Sequence, residues 1–289
     1  MAMGRNSAVG APRLFVFGLG YTATALAARL VADGWQVIGT SRDAACGTIA
    51  FDDEAAVHAE IARASHILSS APPAGEIDPV LDRYGAHLEA GRVWLGYLSS
   101  TGIYGDTGGA WVDETAPIGG GRRGARALAD TAWLALGARV FRLPGIYGPG
   151  RSALERVAEG RAHLIDQPGQ IFSRIHVDDI VSGVIAGFDA PPGAYNLADD
   201  MPASQNHVVA FAAHLLGRDP PPFMPLDALS PAARAFYSEN RRVANGKAKR
   251  VLGWAPSYPD YRAGLRALSA MISPIPVSAA PAPASSDQR

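Results

Sequence analysis

The chain has 289 residues, 48% hydrophobic and 18% charged, enough to bury one large core in an α/β domain with an appended lobe. Its formal net charge of −1 provides no basic field for nucleic acid or an anionic membrane, so any phosphate binding has to come from local geometry. The single cysteine, Cys46, excludes an internal disulfide and argues against a cysteine-based metal site; no metal is expected, and a reducing cytoplasm fits.

The first element is the apolar strand Leu14–Phe17, which runs into Gly18-Leu-Gly20 and then into an alanine-rich helix, Thr22–Ala32. In such a G-x-G-x-x-A turn Gly18 permits the sharp bend and Gly20 lets the backbone approach a pyrophosphate. Small Ala23 packs the helix close to the sheet, with the helix N-terminus toward the anion. Tyr21 and Thr22, at the start of that helix, join the candidate cofactor-binding residues. Arg5 and Arg13 ahead of the apolar run imitate a secretion signal, but its removal would delete the first βα unit. No window holds the ~20 uninterrupted apolar residues of a membrane span.

Strands are expected at Trp35–Gly39, Thr48–Phe51, His66–Ser69, Arg92–Leu98 and Arg139–Leu143, alternating with helices at Glu54–Ala64, Pro79–Ala90 and Ala125–Leu136. That alternation predicts an α/β fold, a Rossmann-type doubly wound parallel sheet with a smaller C-terminal substrate lobe. Cofactor choice is read at the end of the second strand, Gly39-Thr-Ser-Arg-Asp43. No acid stands at the strand end, and Thr40, Ser41 and Arg42 suit a 2′-phosphate, so NADP(H) is favoured over NAD(H), with Asp43 keeping NAD(H) open. Asp52 after the third strand and Ser70 and Ala71 after the fourth complete the candidate cofactor contacts.

Beyond Gly150 the elements shorten: helix Ser152–Gly160, strand Gln170–Arg174, and helices Val177–Phe188 and Ser204–Leu216. Asp219–Pro225 is a proline-stiffened connector and Tyr261–Ile272 a closing helix. A nucleotide-binding domain over 13–148 and a lobe over 149–272, with segments returning to the core, are the expected division. The Pro-, Ala- and Ser-rich tail 273–289 is expected to be disordered.

Three segments carry a resemblance: Tyr97-Leu-Ser-Ser-Thr-Gly-Ile-Tyr-Gly-Asp106, Phe141-Arg-Leu-Pro-Gly-Ile-Tyr-Gly-Pro-Gly150 and Phe172-Ser-Arg-Ile-His-Val-Asp-Asp179. Over about residues 13 to 272 the chain resembles the extended short-chain dehydrogenase/reductase superfamily, the NAD(P)-dependent epimerase/dehydratase group. The resemblance implies that Ser100 is the catalytic Ser/Thr bonded to the reacting oxygen, that Pro144 and Gly145 lie beside the nicotinamide, and that Tyr147 faces the substrate cleft. Arg174, His176 and Asp178 match the substrate-side segment, although an aspartate capping the helix that begins there would look the same.

The usual Tyr-x-x-x-Lys acid/base pair of that superfamily is missing. By spacing, Arg122 replaces the tyrosine and Arg126 the lysine, with Asp130 one helical turn later. Arginine does not donate protons near neutral pH. The chain thus resembles an atypical branch lacking the tyrosine, as do the segments 238–254 and 258–265. The Asp-Glu pair of sugar 4,6-dehydratases is replaced by Thr101 and Gly102. Arg122 and Arg126 suit a clamp on an anionic substrate; the competing reading is a solvated helix start beside the triple glycine 119–121.

The expected function is an NAD(P)-dependent oxidoreductase or epimerase acting on a small polar substrate, sugar-nucleotide-like or anionic, with Tyr104, Tyr147 or His176 relaying the proton. The alternative is a non-catalytic NAD(P)-binding sensor or scaffold. The expected partner is a small molecule, with neither nucleic acid nor membrane, and the oligomeric state stays open between monomer and homodimer.

Overall fold

A computed structural model describes residues 11–44, 47–89 and 93–272. Cys46 and the tail 273–289 lie outside the described residues. In chain order the first half forms β1 (Arg13–Phe17), α1 (Tyr21–Ala32), β2 (Gln36–Ser41), β3 (Ile49–Ala50), α2 (Glu54–Arg63), β4 (His66–Ser69), α3 (Pro79–Glu89), β5 (Trp94–Ser100), β6 (Trp111–Val112), α4 (Gly124–Ala135) and β7 (Arg139–Leu143). There follow β8 (Gly145–Tyr147), α5 (Ala153–Ala158), β9 (Leu164–Ile165), β10 (Arg174–His176), α6 (Val177–Ala186), β11 (Gly193–Asn196) and α7 (Gln205–Leu215). The chain ends in β12 (Phe223–Met224), α8 (Pro231–Arg234), β13 (Arg242–Val243), α9 (Gly246–Leu252) and α10 (Tyr261–Ile272).

Seven strands form one sheet in the order β11-β7-β5-β4-β1-β2-β3. Every neighbouring pair is parallel. Because the strands run the same way, the turns after β1, β2, β4, β5 and β7 gather along a single edge. Chain order reverses between β1 and β4, which opens a crevice at their C-terminal ends, where ligands of such sheets bind.

The sheet is covered on both faces, which explains the continuous apolar run of β1. Leu14 and Val16 pack with Leu26 and Leu30 of α1 and Ile180 and Val184 of α6. Phe15 and Phe17 point the other way, among Val57 of α2, Val80 and Tyr84 of α3 and Trp133 of α4. Each such side chain contributes about 1.5–3 kcal/mol by leaving water. A third core joins Tyr147 of β8, Leu154 and Val157 of α5, Val208 and Ala212 of α7, and Tyr261 and Leu265 of α10. This core fills the smaller C-terminal lobe.

Several boundaries differ from the sequence reading. The strand expected at Gln170–Arg174 forms instead at Arg174–His176 and pairs with β8. Side chains take up the earlier backbone and its flank: Ile171 N–H bonds Asn240 Oδ1, and the Gln170 side chain bonds Glu239 O, leaving Phe172 only an isolated bridge to Ala203. The second strand is shifted to Gln36–Ser41 because Trp35 N–H closes the end of α1 on Leu30 O. The proline connector contains β12, paired with β9. Ser152 lies before α5 rather than in it, as its N-cap in a capping box with Glu155.

Candidate functional site

The turn after β1 is built around Gly18, whose φ of +84° is strained for any residue with a side chain. A Cβ there would also stand 3.3 Å from the backbone nitrogen of Ala71, so this turn and the Ser70–Ala71 segment touch. Thr40 ties the turn to β2: its Oγ1 accepts Gly18 N–H at 3.1 Å and its carbonyl accepts Leu19 N–H at 3.0 Å. Thr40 is thus a buried support for the turn, with its hydroxyl already engaged. Gly20 caps α1 with no side-chain hydrogen bond to the helix N-terminus, and nothing lies within 4 Å of where its Cβ would be. Uncapped N–H groups facing open space are the fit a pyrophosphate requires.

Ala23 is buried in the core and Thr22 borders the cleft described below, while the Tyr21 hydroxyl donates to Pro149 O at 3.0 Å. At the end of β2, Arg42 is exposed and Ser41 donates to Asp43 Oδ1 at 3.2 Å. Asp52 is exposed just after β3; its neighbour Asp53 caps α2.

From this edge a cleft of about 1010 Å³ runs into the smaller lobe. Its lining begins at Thr22 and Ser70, passes Ser100, Thr101 and Gly102 after β5 and Pro144 and Gly145 after β7, and ends among Arg156, Arg174, Gln205 and Tyr237. Eight arginines line it (Arg122, Arg123, Arg126, Arg151, Arg156, Arg161, Arg174, Arg241) against two glutamates, Glu155 and Glu239. The cleft is therefore strongly positive in a chain of nearly zero net charge. Ser100 Oγ accepts Gly102 N–H at 3.1 Å, which leaves its hydroxyl hydrogen to donate.

Arg122 and Arg126 both line the cleft, but protein groups engage both. Arg122 Nε lies 3.4 Å from Glu239 Oε1, which also accepts the Arg122 backbone N–H at 2.8 Å. Arg126 Nη1 donates to Tyr97 Oη at 3.0 Å and Leu98 O at 3.2 Å. The two arginines of the expected clamp thus each have a protein partner, Arg122 through Nε and Arg126 through Nη1. Glu239, more than a hundred residues away in sequence, was not among the candidate residues.

The structure does not bring the three proposed proton relays into the cleft as free groups. Tyr104 belongs to a buried network: its hydroxyl accepts Arg142 Nη1 at 2.9 Å and donates to Asn196 Oδ1 at 2.8 Å. Arg142 also makes a two-point pair with Asp130, whose Oδ2 accepts Ser99 Oγ at 2.6 Å. Burial pushes the Tyr104 hydroxyl up to about 12. Such a satisfied network fixes structure rather than moving protons. The Tyr147 ring borders the cleft, but its buried hydroxyl makes no hydrogen bond to the described residues and presses on Gly264 of α10.

His176 is fully buried between the rings of Tyr147 and Tyr258. It, rather than an aspartate, caps α6: Nδ1 accepts Asp178 N–H at 3.2 Å, while Asp178 sits in the first turn. Burial lowers the imidazole's pKa against the opposing charge of Asp178, which keeps the cap neutral. Asp179 is buried and bonds the backbone of Ser257 and Tyr258. Arg174 donates to Phe172 O, Ala203 O and Gln205 Oε1, and burial lowers it to about 10. Among the described residues no three His, Cys, Asp or Glu side chains gather as a metal site. No helix among them is long and apolar enough to cross a membrane.

No family model matches the chain. A solved structure of a functionally unknown conserved protein from Silicibacter pomeroyi DSS is 43% identical, with a TM-score of 0.83 over 90% of this chain and 99% of that one. The chain belongs to that protein's family. Its fold is that of the extended short-chain dehydrogenase/reductase superfamily, as the motifs implied. A human epimerase family protein solved with NADPH shares this fold at 20% identity, with a TM-score of 0.67 over 89% of this chain and 99% of that one. A curated relative, 3-diazoavenalumate denitrifying reductase from a Streptomyces species, is 31% identical over 176 residues, 53% of this chain. The match spans 58% of that relative's length, and the same share of the YeeZ proteins of Escherichia coli, which are 28% identical.

Proposed function

We propose that this short-chain dehydrogenase/reductase is an NAD(P)-dependent oxidoreductase or epimerase that acts on a small anionic substrate. The observation that carries this reading is the continuity of the cleft: one cavity joins Thr22 of α1 and Ser70, next to the glycine turn, with the Ser100 turn and eight arginines. The open N-terminus of α1 fits the pyrophosphate, and Pro144 and Gly145 line the next stretch, where the nicotinamide belongs. Ser41 and Arg42, with no acid at the end of β2, favour NADP(H) over NAD(H). When bound, the nicotinamide gives or takes hydride. Ser100 donates a hydrogen bond to the reacting oxygen, and the arginines meet the substrate's charge. The name of the Streptomyces relative favours reduction over epimerisation.

A second reading, a non-catalytic NAD(P) sensor or scaffold, draws on the burial of Tyr104, Tyr147 and His176. Thermal unfolding with NADPH and NADH, followed by cofactor oxidation against a panel of anionic aldehydes, ketones and sugar nucleotides, separates the two. Stabilisation, larger with NADPH, together with turnover is the expected result. Stabilisation without any turnover selects the sensor, and no stabilisation by either dinucleotide overturns both readings.

A further inference from the structure

Arg123 stands at the N-cap position of α4, between the two arginines picked out by motif spacing. It lines the cleft with Ser100 and Gly102, and its stem lies on Gly102: a Cβ there would come within 2.5 Å of Arg123 Cδ and 2.9 Å of Nε. The guanidinium is thereby laid over the same short turn that carries Ser100.

Its surroundings are poor in compensating charge. Arg122, Arg126 and Arg241 act on it as like charges and Glu239 as the opposing one. Glu239 is already shared by two other arginines, since Oε1 takes the Arg122 backbone N–H and Oε2 takes Arg241 Nη1 at 2.9 Å. The other three arginines have protein partners: Arg122 has Glu239, Arg126 has Tyr97 and Leu98, and Arg241 has Gly105 O and Glu239. The Arg123 side chain makes no hydrogen bond or ion pair with the described residues, its carbonyl alone accepting Ala127 N–H. A half-buried guanidinium with no partner is costly, and one that sits among like charges is costlier still. Burial, followed by those like charges, holds it below the usual arginine range. A bound anion relieves this cost at once.

We infer that Arg123 is the anion-binding residue of the cleft, and that it receives an oxyanion of the substrate, a carboxylate or a phosphate, beside the Ser100 turn. This deepens the proposed function and rests on its reading of the cleft as a substrate site. The guanidinium's parallel N–H donors match either oxyanion, and its place next to Ser100 sets the charged group close to the reacting oxygen. Gly102 is then a positioning residue, since only a residue without a side chain lets the arginine lie there.

The test is a calorimetric titration of the full chain with malonate and with inorganic phosphate, each at constant ionic strength, in the wild type and in R123A, R123K, G102A and R156A. R156A probes another cleft arginine whose side chain, like that of Arg151, has no hydrogen bond or ion pair to the described residues. At least one of the two anions is expected to bind the wild type. That affinity should fall at least roughly tenfold in R123A and G102A, less in R123K, and in R156A only by the smaller, salt-screened share that a charge out of contact with the anion contributes. Malonate alone identifies a carboxylate substrate and phosphate alone a phosphorylated one. Equal binding by R123A and wild type, no binding of either anion to the wild type, or a loss confined to R156A overturns the assignment. Thermal stabilisation by NADPH, measured on the same variants, should be unchanged; its absence in the wild type marks a failure of the cofactor reading rather than of Arg123.

Discussion

Asp199 is buried behind the cleft near Arg174, and its Oδ2 makes no hydrogen bond to the described residues. Burial pushes its carboxyl up to about 8, with Arg174 pulling the other way, so the native state prefers it neutral. In the unfolded chain it titrates near the ordinary ~4. A carboxyl raised in this way contributes stability that is complete below about pH 4 and is lost as pH rises through about 8. Asp199→Asn keeps the neutral shape and should raise Tm at pH 8 by a few degrees, at roughly 2–4 °C per kcal/mol for chains of this size. The gain should shrink toward pH 4. Calorimetric melting of both proteins across that range checks it, and an unchanged difference between the two pH extremes would exclude the buried carboxyl as its source.

At the scale of elements, the start of α1 separates cofactor binding from folding. Gly20 has φ of −86° and open space where a Cβ would go, so alanine fits the apo fold without strain. Under the proposed function that same space is where a pyrophosphate approaches. Gly20→Ala is therefore expected to leave the apo Tm within about a degree, as an unstrained substitution does, while removing most of the stabilisation by NADPH. A variant that still responds fully to NADPH would move the dinucleotide elsewhere.

The β1-turn-α1 unit was legible in the sequence to within a residue, because its apolar run, glycines and alanines all express local demands. The strand β11 was not. Gly193-Ala-Tyr-Asn196 carries no alternation, and it becomes a strand because Val140 and Phe141 of β7 offer it an open edge. For the same reason β8 and β10 were hidden: each is three residues long and pairs only with the other.

The whole molecule sorts its charge. A chain with a formal net charge of −1 directs eight arginines and two glutamates into one cleft, so its field acts locally on an incoming anion. The dissociation constant of an anionic ligand should rise several-fold between low ionic strength and ~0.15 M salt, where charges more than ~8 Å apart are screened. A neutral analogue titrated alongside should show no such trend, and parallel behaviour of the two would argue against electrostatic capture.

The sequence showed that Arg122 and Arg126 occupy the place of Tyr-x-x-x-Lys, but not that both have protein partners while the Arg123 side chain between them has none. That depends on Glu239 and Arg241, which reach Arg122 and the Ser100 turn from the far end of the chain. The burial of Tyr104 was equally hidden, since its partners Arg142 and Asn196 come from β7 and β11.

The contact between Tyr147 and Gly264 bears on how the molecule is assembled. Six strands of the sheet, all but β11, are complete once β7 has been made, and helices α1 to α4 lie between them in sequence. The wall of the cleft at Tyr147 is finished only when α10 arrives, after more than a hundred further residues, and closing so long a loop is entropically slow. A chain emerging from the ribosome therefore has its Gly18 turn well before it has an enclosed chamber, so that under the proposed function the cofactor site is made before the substrate site.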